Sequence, residues 1–264
     1  MSSFEITTIL AMHDTSNFTG QKLLHPFKMK KVEEEYSFKN KRKQTITKTK
    51  TGNVYDNTYI DGNVQTEIEN ATRFEIKHDG SCGYIQYNPE DNTYTPYSRR
   101  DLKKGASGEF PTPSTEWIPC EAKPLIPEST HWPHFVKCKE DSSLYKWELE
   151  AFDQALNSNK LNVNKSFTCE YMGKKKNFCL SDPIDLNCAI VPHSSYQIDI
   201  PNKYRNYDGF LKVFLEVPYI EGLVIYGPTR TFKIRRDMYC SDGTRLKWPN
   251  SDSIMKLSEK VMLV

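Results

Sequence analysis

A lysine stands two residues before an Asp-Gly pair in Lys77-His78-Asp79-Gly80. The residues before it, Phe74-Glu75-Ile76, alternate apolar and charged as a half-buried strand does. Lys77 is therefore expected where a strand runs into a tight turn, with Gly80 free to take φ > 0. An amine held at such a corner is a nucleophile if something keeps it uncharged. By itself the pattern marks an ordinary surface hairpin. Three later sites give it more weight. Glu170 lies in Phe167-Thr168-Cys169-Glu170-Tyr171-Met172, followed by Gly173. Glu221-Gly222 opens the apolar run Leu223-Val224-Ile225-Tyr226, and Lys233 and Arg235, two apart in Phe232-Lys233-Ile234-Arg235, share one side of a strand. A further cluster, Ser98-Arg99-Arg100-Asp101-Leu102-Lys103-Lys104, follows directly on a strand pattern and suits an anion pocket.

The elements that must position these groups are mostly strands. Val54-Tyr55, Phe74–Lys77, Tyr84–Tyr87 and Tyr94–Tyr97 are short, aromatic or β-branched, with Asp, Asn, Gly and Pro between them. Strands are read again at Phe167–Met172, Ala189–Val191, Tyr196–Ile200, Leu211–Val213, Leu223–Tyr226 and Thr231–Arg236, with Gly227-Pro228 turning a hairpin between the last two. Residues 141–156 read as a helix: Leu144, Trp147, Ala151, Phe152 and Ala155 recur at spacings of three and four, with Lys146, Glu148, Glu150 and Asp153 on the other side. Ser251–Val264 is a candidate short helix. Residues 111–133 carry six prolines and read as an ordered irregular crossing anchored by Trp117, Ile118, Leu125, Ile126 and Trp132. His131 and His134 have a ligand-like spacing, which alone is a weak sign of a metal site. The fold class expected is α+β, one domain over residues 1–264 dominated by antiparallel strands, with residues 1–53 as a basic extension packed on or flanking it.

Composition narrows the function classes. The chain of 264 residues has 27% charged and 37% hydrophobic residues and a formal net charge of +2. No apolar run approaches the roughly 18 residues of a membrane span, and no secretory signal precedes the first motif, so no membrane partner is expected. Seven scattered cysteines without a C-x-x-C pair favour reduced thiols in a cytoplasmic or nuclear compartment. With so small a net charge, any nucleic acid must be met by local patches. The densest lies between Lys22 and Lys50, with ten Lys or Arg against Glu33, Glu34 and Glu35. It reads either as a solvated hairpin or loop or as a phosphate-contacting arm.

The ordered set K-x-D-G, an aromatic-acid strand, E-G followed by apolar residues, and K-x-[KR] resembles the covalent nucleotidyltransferases, the family of ATP-dependent DNA and RNA ligases and mRNA capping enzymes. Single motifs recur by chance; all four in order, about 90 and then about 50 residues apart, do not. Ser81-Cys82 follows the Asp-Gly pair where DNA ligases usually carry Arg, and 28 residues follow Arg236, too few for the C-terminal OB domain of DNA ligases and capping enzymes. The chain is most similar to the small stand-alone 5′–3′ RNA ligases of vertebrates and some large viruses. Tyr97–Gly105, Trp117–Cys120, Thr130–Pro133, Lys146–Ala151 and Val191-Pro192-His193 carry that likeness.

The resemblance implies a nucleotidyltransferase domain without an OB domain, and an ATP- and Mg²⁺-dependent (or Mn²⁺-dependent) enzyme that seals RNA 5′-phosphate and 3′-hydroxyl ends. It implies no obligate protein partner. Lys77 would carry AMP. A free lysine has a pKa of about 10.4, and neighbouring cations disfavour its charged form, so Lys233 and Arg235 would help deliver the neutral amine and neutralise phosphoryl oxygens. Glu221 would be the metal-side acid, since Mg²⁺ typically takes one or two carboxylates and keeps several waters. Glu170 would contact the ribose hydroxyls and Asp79 the nucleotide. Arg99 or Arg100 would hold a phosphate by a bidentate fork, with no basis in the sequence for choosing between them. Tyr196 and Phe178 are the candidates for sandwiching the adenine, while His78 and His193 read as structural or solvent-facing. Two other readings remain: a degenerate RNA-binding module of the same fold, and a capping-type guanylyltransferase or DNA ligase.

Overall fold

The computed structural model describes residues 4, 6–8, 20, 22–39, 43–125, 129–161, 163–173, 175–176, 187–241 and 243–247. In its first half the chain forms β1 (Ile6–Thr8), β2 (Phe27–Lys39), β3 (Thr45–Tyr59), α1 (Val64–Glu69), β4 (Arg73–Lys77), β5 (Ser81–Asn88), β6 (Thr93–Lys103), β7 (Ile118–Pro119) and β8 (His131–Lys137). There follow α2 (Lys146–Asn157), β9 (Phe167–Met172), β10 (Ala189–Pro192), β11 (Tyr196–Ile198), α3 (Tyr207–Glu216), β12 (Gly222–Tyr226), β13 (Thr231–Arg235), β14 (Cys240–Ser241) and β15 (Thr244–Arg245). This is the expected mixed α+β class with antiparallel sheets. No helix is long and apolar enough to cross a membrane.

Two sheets make the body. The first has the order β1-β11-β4-β12-β13 and the second β10-β9-β5-β6-β8-β7. In the first sheet alternation divides the work between faces. Phe74, Ile76, Leu223, Ile225, Phe232 and Ile234 point one way and pack with Phe210, Val213 and Phe214 of α3. Glu75, Lys77, Val224, Lys233 and Arg235 are left on the other face by the same register. In the second sheet Ile85, Phe167, Cys169, Tyr171 and Ile190 pack with Ala151, Phe152 and Ala155 of α2.

The chain passes between the sheets at two places that matter. His78-Asp79-Gly80 joins β4 of the first sheet to β5 of the second, and His193-Ser194-Ser195 joins β10 of the second to β11 of the first. Lys77 thus ends a strand at a sheet-to-sheet crossing, not at a hairpin. Gly80 is also not at positive φ, which among the described glycines is confined to Gly20, Gly108, Gly173 and Gly243. Its reason is space: a Cβ there would lie 2.7 Å from the Tyr171 carbonyl oxygen and 2.8 Å from Met172 Cγ.

Several other expectations change. Leu211–Val213 is helical, because Phe210, Val213, Phe214 and Val217 repeat at three and four and are all fully buried. Asn206 caps that helix by accepting from the Gly209 amide at 2.9 Å. The helix expected over 141–156 runs Lys146–Asn157 after a 3-10 turn at Ser143–Tyr145; Leu144 is exposed, and Glu148 is fully buried in an ion pair with Lys176. Pro119 and Pro133 lie within strands of the region read as irregular. The helix α1 follows the Asp61-Gly62-Asn63 turn without having been expected. Segments of the first 53 residues pack into the domain: β1 pairs with β11, and Phe4 and Phe27 join the core of the first sheet. The candidate helix Ser251–Val264, and Lys41, Arg42 and Phe178, lie outside the described residues.

Candidate active site

Between the two crossings lies a cavity of about 210 Å³ lined by Lys77, Arg99, Glu170, Glu221, Lys233 and Arg235, together with the histidines of both crossings. Six residues singled out in the sequence thus meet in one place. Their meeting follows from register. Gly222 is paired with Lys77 on one side and with Arg235 on the other, and Val224 is paired with Glu75 and Lys233. Lys77 and Arg235 therefore flank β12 beside Glu221. A side chain at Gly222 would strike the Ile234 carbonyl, so the pairing needs glycine there.

The Lys77 amine donates to both carboxylate oxygens of Glu221 at 2.7 Å and to the His78 carbonyl at 3.3 Å. Glu221 is buried, with Arg235 Nε 3.9 Å from Oε1. Burial pushes its carboxyl up to about 7; the Lys77 charge and hydrogen bond oppose the rise, and Asp79 adds to it. Burial also pushes the Lys233 amine down, to about 8, helped by the charges of Lys77, Arg99, Lys22 and Arg235. A buried carboxyl and a buried amine shifted toward neutrality from opposite sides in one cavity mark it as a candidate functional site.

On the second-sheet side, Glu170 Oε1 sits 3.4 Å from His193 Nε2. Burial would raise the Glu170 carboxyl, but the His193 hydrogen bond and charge, with Lys77 and Arg99, hold it below the usual carboxylate value. Its Oε2 has no hydrogen-bond partner among the described residues and stands 3.0 Å from the place of a Cβ on Gly80. A charged acceptor with a spare oxygen at the cavity wall suits a hydroxyl donor of a ligand. Arg99 reaches the cavity while donating to the Gly20 carbonyl at 3.1 Å. Arg100, the next residue of β6, points the opposite way: it is exposed, with its guanidinium 5.3 Å from the Tyr145 ring centroid. Strand alternation removes Arg100 from the candidates that the sequence left open.

Asp79 does not line the cavity and reaches it only through its charge on Glu221. Tyr196 is buried beneath the crossing, its ring 5.5 Å from that of His78, and is not part of the lining. His193, read from the sequence as structural or solvent-facing, lines the cavity and holds Glu170. Lys22 was not singled out. It lines the cavity with its amine 2.5 Å from Asp101 Oδ2, while the Leu24 carbonyl accepts from the Lys233 amide at 2.9 Å. Residues 22–24 thus tie the two sheets together across the cavity edge. No short motif marks such a strap. His25 and Tyr55 brace the strand end that carries Arg235: Tyr55 Oη accepts from the Arg235 amide at 3.2 Å and lies 2.5 Å from His25 Nδ1. Burial pushes His25 down to about 3, with Lys233, Arg235 and Lys77 acting the same way, so the ring is neutral and accepts the Tyr55 proton.

Among the described residues no group of three or more His, Cys, Asp or Glu is placed to hold a metal ion, and His131 and His134 form no such site. Both oxygens of Glu221 are taken by Lys77, so an ion at this carboxylate would be met through water and not in a protein cage. No protein-family model matches the chain, and no curated protein sequence or solved structure matches it.

Proposed function

We propose that this chain is an ATP-dependent 5′–3′ RNA ligase that carries AMP on Lys77. The observation behind this is the Lys77–Glu221 pair, a lysine amine 2.7 Å from both oxygens of a buried carboxylate, inside a cavity walled by four further cations, Lys22, Arg99, Lys233 and Arg235. A lysine that only made a turn would not need a buried acid on its amine.

In the first step Lys77 passes its ammonium proton to Glu221, whose pKa near 7 suits a proton acceptor at neutral pH. The Lys77 nitrogen then attacks the α-phosphorus of ATP. An N–P bond forms, the bond from the α-phosphorus to the bridging oxygen breaks, and its electron pair leaves with pyrophosphate. Lys233, Arg235 and Arg99 neutralise the charge on the phosphoryl oxygens. Glu170 accepts from the ribose hydroxyls through Oε2. In the second step an RNA 5′-phosphate oxygen attacks the same phosphorus and Lys77 leaves as the amine, taking back a proton. In the third an RNA 3′-hydroxyl attacks the 5′-phosphorus, a phosphodiester forms and AMP departs. Mg²⁺ or Mn²⁺ held through water by Asp79, and by Glu221 while its carboxylate is charged, would supply further positive charge at the phosphates.

Incubation with α-labelled ATP tests the proposal in one denaturing gel. Label retained by the wild-type chain and lost in Lys77→Ala supports it. Label from GTP alone points to capping chemistry, and no label from either nucleotide points to a binding module. Sealing of nicked RNA against nicked DNA then decides the polynucleotide.

A further inference from the structure

The strands β2 and β3 pair over nearly their whole length, from Phe27↔Tyr59 to Lys39↔Thr45, as a two-stranded ribbon outside both sheets of the body. Its two faces differ in charge. Pairing of Lys30 with Val54, Val32 with Gly52 and Glu34 with Lys50 places Lys30, Lys50 and Lys48 on one face with Glu34. The other face holds Lys31, Glu33 and Glu35 beside the row Thr45, Thr47, Thr49 and Thr51. Lys30, Lys48 and Lys50 are all exposed. At about 3.3 Å per residue they spread over roughly 20 Å.

The cationic face connects to the cavity through side chains. Arg235, in the cavity wall, donates to Asp237 at 2.9 Å; Arg245 reaches the same Asp237 oxygen at 3.4 Å and Glu34 at 3.1 Å. The Arg245 guanidinium lies directly over Gly52, where a Cβ would make it shift. Glu34, beside the lysines on this face, is thereby held by an arginine. The root of the ribbon is fixed at the same wall, where Tyr55 of β3 accepts from the Arg235 amide.

We infer that the Lys30–Lys48–Lys50 face of the ribbon holds the phosphodiester backbone of the RNA substrate and leads it toward Arg235 and the cavity. The inference rests on the polynucleotide reading above and adds a surface that none of the four motifs includes. Lysines that meet only phosphates bind by charge and without sequence preference.

The experiment compares the full chain with the triple variant K30Q/K48Q/K50Q and with K31Q, using fluorescence anisotropy of a 5′-phosphorylated single-stranded oligoribonucleotide at several salt concentrations. At about 0.7 per single-strand contact, the triple variant should lose about 2 from the slope of log affinity on log salt and bind at least about tenfold more weakly at low salt. K31Q, on the other face, should keep the wild-type slope to within a few tenths. Both variants should label with ATP at the wild-type rate, because none of these residues lines the cavity. An unchanged slope in the triple variant, an equal loss in K31Q, or a wild-type chain that does not bind the oligonucleotide overturns the assignment. Loss of ATP labelling in wild type would instead remove the ligase proposal, while a salt slope that depends on these three lysines would still stand.

Discussion

Lys77 and Glu221 lie 144 positions apart in the chain, yet the lysine amine meets both carboxylate oxygens at 2.7 Å. Backbone register brings them together: Gly222 pairs with Lys77, so the residue before that glycine stands beside the lysine. The pair is a poor source of stability, because desolvating a carboxylate and an amine offsets most of their attraction. Its cost is visible in the carboxyl of Glu221, raised by burial despite a cation in contact.

The pH dependence of self-adenylylation follows from two groups. Glu221 is raised to about 7, so below that pH it is protonated and cannot take the Lys77 proton; the rate should climb as pH rises through about 7. Lys233 is lowered to about 8, so above that pH it loses the charge proposed to neutralise the phosphates, and the rate should fall. The expected profile is a bell between these values. Single-turnover labelling from pH 5.5 to about 9.5 measures it. Lys233→Arg, charged throughout, should remove the alkaline limb. Glu221→Gln should remove the acid limb and slow labelling by about 10²–10⁴-fold.

Arg99 and Arg100 give a paired test of strand alternation. Arg99 faces the cavity and Arg100 faces Tyr145 on the other side of β6. A hydrogen bond to a charged group contributes about 1.5–3 kcal/mol, so Arg99→Ala should raise KM for ATP about tenfold or more. Arg100→Ala should leave it within about twofold. Equal effects from the two substitutions would place the phosphates elsewhere.

Gly80→Ala should destabilise the fold by about 1–3 kcal/mol, since the added methyl meets the Tyr171 carbonyl, which belongs to a paired strand and cannot yield easily. For a domain of this size that lowers Tm by about 2–4 °C per kcal/mol. Gly62→Ala, where nothing lies within 4 Å of the new carbon, is the control and should leave Tm nearly unchanged. Scanning both variants by thermal unfolding decides it; a stable Gly80→Ala would mean the crossing is looser than its contacts indicate.

The charged face of the first sheet was legible in the sequence because alternation is a local signal. Lys77, Lys233 and Arg235 had only to occupy strands with apolar neighbours. The crossing was not legible. A lysine before Asp-Gly looks the same whether the next strand folds back beside it or enters another sheet, and the difference depends on pairings with β9 and β12 far along the chain. For the same reason Gly80 suggested a backbone need, while the structure shows a contact with Tyr171. In α3 the short run Leu211–Val213 suggested a strand, but the wider spacing of Phe210, Val213, Phe214 and Val217 governs. Glu148 falls on the charged side of α2 in sequence, yet it is fully buried and paired with Lys176, which lies 28 positions further along the chain. Lys22 carried no motif at all, and only the closure of its strap across both sheets brings it to the cavity.

Intact mass spectrometry after incubation with ATP and Mg²⁺, followed by peptide mapping, tests the central claim most directly. Wild-type chain should gain the mass of one AMP, located on Lys77, and Lys77→Ala should gain none. An AMP adduct on another residue, or an adduct that persists in Lys77→Ala, would contradict the assignment of Lys77 as the nucleophile.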